Sequence, residues 1–369
     1  MTLAVDQPLR HDPAAGHPLV HAKEDLTPEW VTAVLRGQGL VRDARVTSVR
    51  AEPIGNGLLG SNLRLELEYD AAEDGAPATL VAKMASESEQ SRQSGASLNL
   101  YGREVRFYQE LAPRIPEALA PTLFSDVATD GTTFCLLFAD MSPARMGDQL
   151  AGCGVKDART AMTAAAGLHA PLWGDPELPK LEWLNSLSQL YIDTLPAYVP
   201  TAEERFARWL EPGAIDVARR FGEKIEAYFA DHDGPWTISH QDFRLDNLLF
   251  DAQAGAIPLA VLDWQTFVPG PGPLDAVYFN GAGLLLDARR EHEESLARHY
   301  FDELVARGVD DYSWDDCWRT YRKHAGHGMI MSIVGAAITA PTERGDEMLS
   351  ALINRTAQQM TDLDTLSLF

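Results

Sequence analysis

The chain has 369 residues, 45% hydrophobic and 23% charged, a composition that excludes disordered and fibrous classes. Its 31 Lys and Arg stand against 54 Asp and Glu, and the net charge of −23 argues against nucleic-acid and membrane partners because it repels phosphate. The three cysteines, Cys135, Cys153 and Cys317, are odd in number and far apart, so neither a disulfide framework nor a zinc site with paired Cys-x-x-Cys spacing is suggested.

The first residues, rich in Pro, His and Asp, read as a flexible arm over 1–25. They lack a basic segment followed by an apolar one, so no signal peptide is expected and a cytoplasmic location is. Thr27-Pro28-Glu29 reads as an N-cap with proline in the first turn, opening a helix that carries Trp30, Val31, Val34 and Leu35 on one face. Val46 to Ile54 is expected to be extended, and Leu63 to Tyr69 alternates apolar and polar with period two. Thr79 to Met84 is another strand. A polar run, Ser86 to Ser97, separates it from a helix over Leu98 to Leu111, and Thr133 to Ala139 is one more strand. From Lys156 helices dominate, with Ala161 to Leu172, Glu203 to Ala230 and Glu291 to Val305 predicted helical around a strand-rich island, Trp236 to Val268. The apolar stretch Met329 to Ala340 is too short to span a bilayer of about 30 Å and reads as a buried helix. A small β-rich part, 26–140, followed by a larger mainly helical part, 141–369, is an α+β pattern.

Three stretches carry chemistry. Gly55-Asn56-Gly57-Leu58-Leu59-Gly60-Ser61 fits GxGxxG but lies between two predicted strands, whereas a dinucleotide fingerprint opens a helix. It is either a plain turn or a glycine hairpin whose backbone N–H groups approach phosphate. His240-Gln241-Asp242-Phe243-Arg244-Leu245-Asp246-Asn247 fits HxDxxxxN. There an aspartate can accept a hydroxyl proton, and an asparagine oxygen one turn later can ligate Mg²⁺. The apolar strand Leu259 to Leu262 ends in Asp263, a hard oxygen ligand if it is more than a turn residue. In chain order the glycine loop is followed by Lys83, by Glu104 in a helix, by the HxDxxxxN loop and by Asp263. That is the order of parts in a eukaryotic-like kinase. A GxxxxGK[ST] motif is absent.

On these residues the sequence resembles the aminoglycoside phosphotransferase and choline kinase superfamily, over about Glu52 to Tyr321. It is most similar to the ecdysteroid-kinase-like (CHK kinase-like) branch and to acyl-CoA-dehydrogenase-linked phosphotransferases. The stretches responsible are Arg103 to Tyr108, Leu168-His169-Ala170 with Trp173, His240 to Phe250, Leu262 to Gln265 and Gly272 to Phe279. The resemblance implies a bilobal protein-kinase-like fold with a β-rich N-lobe and a helical C-lobe. It also implies ATP- and Mg²⁺-dependent transfer of the γ-phosphoryl group to a hydroxyl of a small molecule.

Carried over residue by residue, it implies that Asp242 is the catalytic base and that Asn247 and Asp263 hold Mg²⁺. Lys83 grips the α- and β-phosphates and is positioned by Glu104, Gly55 to Ser61 cover the phosphates, and Phe138, Ala139 and Met141 form the hinge against adenine. His240 orders the catalytic loop and Asp275 anchors it. Arg244 is open between two roles, a contact to the γ-phosphate and an ion pair with a neighbour such as Asp246.

The chain departs from the pattern at Gln241, where many relatives have glycine, and at Asp263-Trp264-Gln265 in place of Asp-Phe-Gly. Val268-Pro-Gly-Pro-Gly-Pro273 is too short and stiff for a protein-kinase activation loop and carries no phosphorylatable residue, which points to a small acceptor. The acceptor itself stays open among an aminosugar antibiotic, a hydroxy acid and a steroid- or lipid-like alcohol, and no obligate protein partner is indicated. Two competing readings are a pseudokinase that binds nucleotide or small molecules without turnover, and a metal-dependent hydrolase. The second would need further His or carboxylate ligands near His240 and Asp242.

Overall fold

The computed structural model describes residues 17–55, 60–184, 186–230, 235–339 and 341–369. The chain divides into two compact units. The first contains residues up to Ala144 together with the short segments Ala252–Ala256 and Leu262–Thr266.

In this unit α1 (Pro28–Gly37) starts where the cap predicts: Thr27 Oγ1 accepts the Trp30 N–H at 3.3 Å. Part of the segment read from sequence as a loose arm is anchored, although residues 21–25 are exposed. Val20 is buried in the core and Trp30 Nε1 donates to Pro18 O at 2.9 Å. Strands β1 (Val46–Pro53), β2 (Gly60–Tyr69) and β3 (Thr79–Ala85) follow, then helices α2 (Glu89–Ser97) and α3 (Leu100–Arg106), and strands β4 (Thr122–Val127) and β5 (Phe134–Ala139). The strands form one antiparallel sheet in the order β1-β2-β3-β5-β4.

The period-two pattern of β2 buries Leu63, Leu65 and Leu67 against α1, beside Leu80, Ala82 and Met84 of β3. The same alternation turns Lys83 to the opposite face. There Tyr101 of α3 stacks on Phe134 at 4.5 Å, and Tyr108 meets Phe138 edge-on at 5.0 Å.

Three sequence expectations need correction here. The polar run Ser86 to Ser97 contains α2, capped by Ser88, because serine caps offset its lack of an apolar face. The predicted helix from Leu98 begins at Leu100, after Asn99 in the left-handed region, and passes into a π turn at Phe107–Leu111. Strand β4 was not anticipated, because a register shift between Thr122 and Phe124 breaks its alternation.

The second unit runs from β6 (Arg145–Met146) through α4 (Val155–His169), α5 (Ser188–Phe206), α6 (Ala214–Gly222) and α7 (Ile225–Ala230). Short strands β7 (Thr237–Ser239), β8 (Leu248–Ala252), β9 (Ile257–Val261) and β10 (Val268–Gly270) come next. Helices α8 (Pro273–Gly283), α9 (Leu286–Ala306), α10 (Trp314–Lys323), α11 (His327–Ile338) and α12 (Glu343–Asp362) complete it.

The single helix expected over Glu203 to Ala230 is broken. α5 ends at Phe206, and Gly213, at φ +85° after Pro212, stands as the residue before α6. The apolar stretch from Met329 lies in α11 and is largely buried. Among the described residues no helix is long and apolar enough to cross a membrane.

Candidate active site

In the first unit β3 presents Lys83, 9% exposed, toward Glu104 of α3, which is fully buried. Lys83 Nζ donates to Glu104 Oε1 at 2.8 Å and to Asp263 Oδ1 at 3.1 Å. Burial works against the ammonium charge, but Asp263 and Glu104 outweigh it and hold Lys83 above the usual lysine value. Asp263 itself sits at φ +66°, a conformation that aspartate tolerates better than most residues. The next residue is fixed to the same pair: Trp264 N–H donates to Glu104 Oε1 at 3.2 Å, and its indole stacks on Phe107 at 3.9 Å. The three residues that sequence order placed in a series therefore form one cluster.

Gly55 takes φ +69°, a left-handed turn open to glycine. Gly60 and Ser61 lie in β2 opposite Ala85 and Met84. Asn56 and Gly57 of the predicted phosphate cover lie outside the described residues. Phe138 and Ala139 end β5, and Met141 follows, all three buried. The segment after them is pinned by Arg64, whose Nε donates to Asp140 Oδ2 at 2.9 Å, while Asp140 Oδ1 accepts the Ser142 N–H.

The second unit holds the HxDxxxxN loop between β7 and β8. Its support is Asp275, in the first turn of α8 and fully buried. One carboxylate oxygen accepts His240 N–H at 2.6 Å and lies 3.1 Å from His169 Nε2. The other accepts Gln241 N–H at 3.0 Å and Ser239 Oγ–H at 3.1 Å. Burial pushes Asp275 up, and the His169 hydrogen bond, with the histidine charges and the His240 N–H, outweighs it and holds the group below its ordinary value. His169 is in turn bonded through Nδ1 to Tyr300 Oη at 2.8 Å.

Gln241 stands at φ +70°, where a side chain costs about 1–2 kcal/mol relative to glycine. That conformation persists because its backbone N–H is held by Asp275, its Nε2 donates to Ser239 Oγ at 2.9 Å, and its carbonyl accepts from His327 at 2.7 Å.

The loop aims Asp242 into a set of donors. Arg244 Nε donates to Asp242 Oδ1 at 2.9 Å and Tyr278 Oη to the same oxygen at 3.2 Å. Asn247 Nδ2 donates to Oδ2 at 2.8 Å. Arg244 also donates to Asp246 Oδ2 at 2.9 Å, an ion pair of the kind weighed from sequence. Asp246 Oδ1 caps the Gln149 N–H at 3.0 Å, and Gln149 Oε1 accepts the Leu245 N–H at 3.1 Å. His240 uses Nδ1 to accept the Asp242 N–H at 3.2 Å, a loop-ordering contact.

Sequence reasoning did not single out Tyr278, Gln149 or His327 as site residues. Tyr278 carried a signal, because it lies one turn beyond Asp275 on a helix, where i and i+3 share a face. Gln149 and His327 carried none. Among the described residues no group of three or more His, Cys, Asp and Glu is placed to hold a metal ion.

With this geometry in hand, the matches to known proteins are informative. The model of the phosphotransferase enzyme family matches residues 72–312, well over half of the chain, and the protein belongs to that family. The superfamily resemblance read from the motifs therefore holds, and the protein is a phosphotransferase. No curated protein matches the chain by sequence. Among solved structures, choline kinase from Cryptosporidium parvum Iowa II is similar at TM-score 0.59 and 8% identity, covering 93% of this chain and 98% of its own. An aminoglycoside 2″-phosphotransferase in complex with GDP and kanamycin is similar at TM-score 0.51 and 14% identity, covering 91% and 99%. At such identities the likeness is one of fold, and the fold is that of the protein-kinase-like phosphotransferases.

Proposed function

We propose that the protein is an ATP- and Mg²⁺-dependent kinase that transfers the γ-phosphoryl group to a hydroxyl of a small molecule. The observation that supports this best is the Asp242 carboxylate, fixed by Arg244, Tyr278 and Asn247 on a loop hung from Asp275. Asp242 takes the proton of the acceptor hydroxyl as its oxygen bonds to the γ-phosphorus. The bond from phosphorus to the β–γ bridging oxygen breaks, and ADP leaves. Lys83, kept charged by its two carboxylates, suits the α- and β-phosphates. Phe138, Ala139 and Met141 suit the adenine, and Gly55 to Ser61 the phosphates, as the family resemblance implies.

The residue types that the family resemblance assigns to Mg²⁺, an asparagine and an aspartate, suit the ion, each taken within its own unit. Asn247 spends its amide nitrogen on the backbone and side-chain oxygens of Asp242, which directs its Oδ1 away from that contact. Asp263 offers a carboxylate 43% exposed. Two hard oxygens of this kind are what the ion takes beside phosphate and water, and when bound it neutralises charge on the β- and γ-phosphates. The acceptor class remains the three weighed from sequence, and the similar structures named for choline kinase and for a kanamycin complex put amino alcohols and aminosugars first in a screen.

The test is ADP release from Mg·ATP across aminoglycosides, choline-like alcohols, hydroxy acids and sterols, with Asp242→Ala run in parallel. Acceptor-dependent release that falls by about 10²–10⁴ in the variant, with nucleotide binding retained, is the expected result. Equal turnover in Asp242→Ala overturns the assignment. Absence of any Mg·ATP-induced thermal stabilisation favours the non-catalytic binding protein.

A further inference from the structure

Beside the catalytic loop stands a buried imidazole that the mechanism does not use. His327 opens α11, is 1% exposed, and lies edge-on to the Tyr278 ring at 5.5 Å. Its Nε2 is 2.7 Å from the carbonyl oxygen of Gln241. A carbonyl only accepts, so this nitrogen bears the proton and donates. The carbonyl belongs to the peptide that joins Gln241 to Asp242, and the N–H of that same peptide donates to His240 Nδ1 at 3.2 Å. One peptide plane is thus held at both ends by imidazoles in opposite roles, His327 as donor and His240 as acceptor.

The plane matters because of what flanks it. On one side Gln241 is in the left-handed region, a conformation that needs to be held from outside. On the other side is the Cα of Asp242, and rotation of the plane re-aims the carboxylate. Asp275 holds the N–H groups of His240 and Gln241, but neither of those contacts fixes the Gln241 carbonyl. That carbonyl is held by His327.

We propose that His327 is a positioning residue for phosphoryl transfer. By donating to the Gln241 carbonyl it fixes the Gln241–Asp242 peptide and so the direction of the Asp242 carboxylate. The proposal rests on Asp242 being the base.

The test compares His327→Phe, which fills the space without a donor, with His327→Gln, which returns an N–H near the Nε2 position. With an acceptor from the screen, His327→Phe lowers kcat by roughly 10- to 100-fold at unchanged KM for Mg·ATP, since small misplacement of a reacting group costs about that much. His327→Gln recovers most of the loss. Wild-type kcat in His327→Phe, or an equal loss in both variants, overturns the proposal. Hydrogen exchange of the peptide containing residues 239–243 is measured on the same samples and needs no turnover. Faster exchange at this loop in His327→Phe, restored in His327→Gln and with protection elsewhere unchanged, is expected, and unchanged protection in His327→Phe overturns the clamp. Loop loosening with Asp242→Ala as active as wild type would instead locate the failure in the assignment of the base.

Discussion

Lys83 Nζ lies 3.1 Å from the Asp263 carboxylate while holding Glu104 at 2.8 Å, so one ammonium joins a buried acid to a half-exposed one. The two acids differ in what their loss removes. Glu104→Gln takes a charge from a fully buried pair and is expected to lower stability by about 1–3 kcal/mol, less than the full cost of an orphaned ion because Asp263 remains. Asp263→Asn leaves the buried pair intact and should change stability by less than about 1 kcal/mol. It should, however, abolish the Mg²⁺ dependence of nucleotide affinity. Urea denaturation and calorimetry with and without EDTA separate the two, and equal destabilisation by both substitutions contradicts this account.

At Gln241 the backbone and the side chain pull in opposite directions. Gln241→Ala keeps the left-handed strain and loses the bond to Ser239, whereas Gln241→Gly loses the same bond but removes the strain. Gln241→Gly should therefore be the more stable variant by roughly 1 kcal/mol. Urea midpoints read the difference directly, and the reverse order would mean that the loop adopts another conformation.

Asp275 makes stability sensitive to acid. Its pKa is held below the ordinary aspartate value, so the unfolded chain binds the proton first. Its contribution is present above the unfolded value of about 4 and is lost as the pH falls through the folded value. The stability gap between wild type and Asp275→Asn should be widest near neutrality and close below about pH 4. A gap that stays constant down to pH 3 refutes the linkage.

Gly272 precedes α8 with ordinary helical angles, so its requirement is for space. An added Cβ would lie 2.4 Å from Tyr300 Oη, 2.9 Å from the Trp173 ring and 3.0 Å from His169 Nδ1. All three atoms belong to packed side chains, and Tyr300 and His169 support Asp275. Gly272→Ala should cost about 1–3 kcal/mol and reduce kcat as well. Thermal melts together with ADP release check both, and a neutral substitution would show that the His169–Tyr300 pair yields without consequence.

The chain's order of parts was legible wherever the signal was local. The Thr27 cap, the alternation of Leu63, Leu65 and Leu67, and the HxDxxxxN spacing each depend on neighbours within a few residues, and periodicity reports such relations directly. Where local chemistry and average hydropathy disagreed, the reading failed. Where composition favoured one helix the chain leaves it at Phe206 and re-enters after Pro212-Gly213, and serine capping made a helix of a polar run.

The remaining decisions belonged to tertiary structure. His327 is 86 residues from the carbonyl it holds, and Asp275 is 35 residues from the His240 N–H it accepts. Side-chain spacing within one element cannot encode a contact between two elements, because the partner is chosen by how their faces pack. The sequence by itself determined which residues are able to do the chemistry and in what order they come. Packing decided which atoms meet: the three donors on Asp242, the four contacts on Asp275 and the peptide held between His240 and His327.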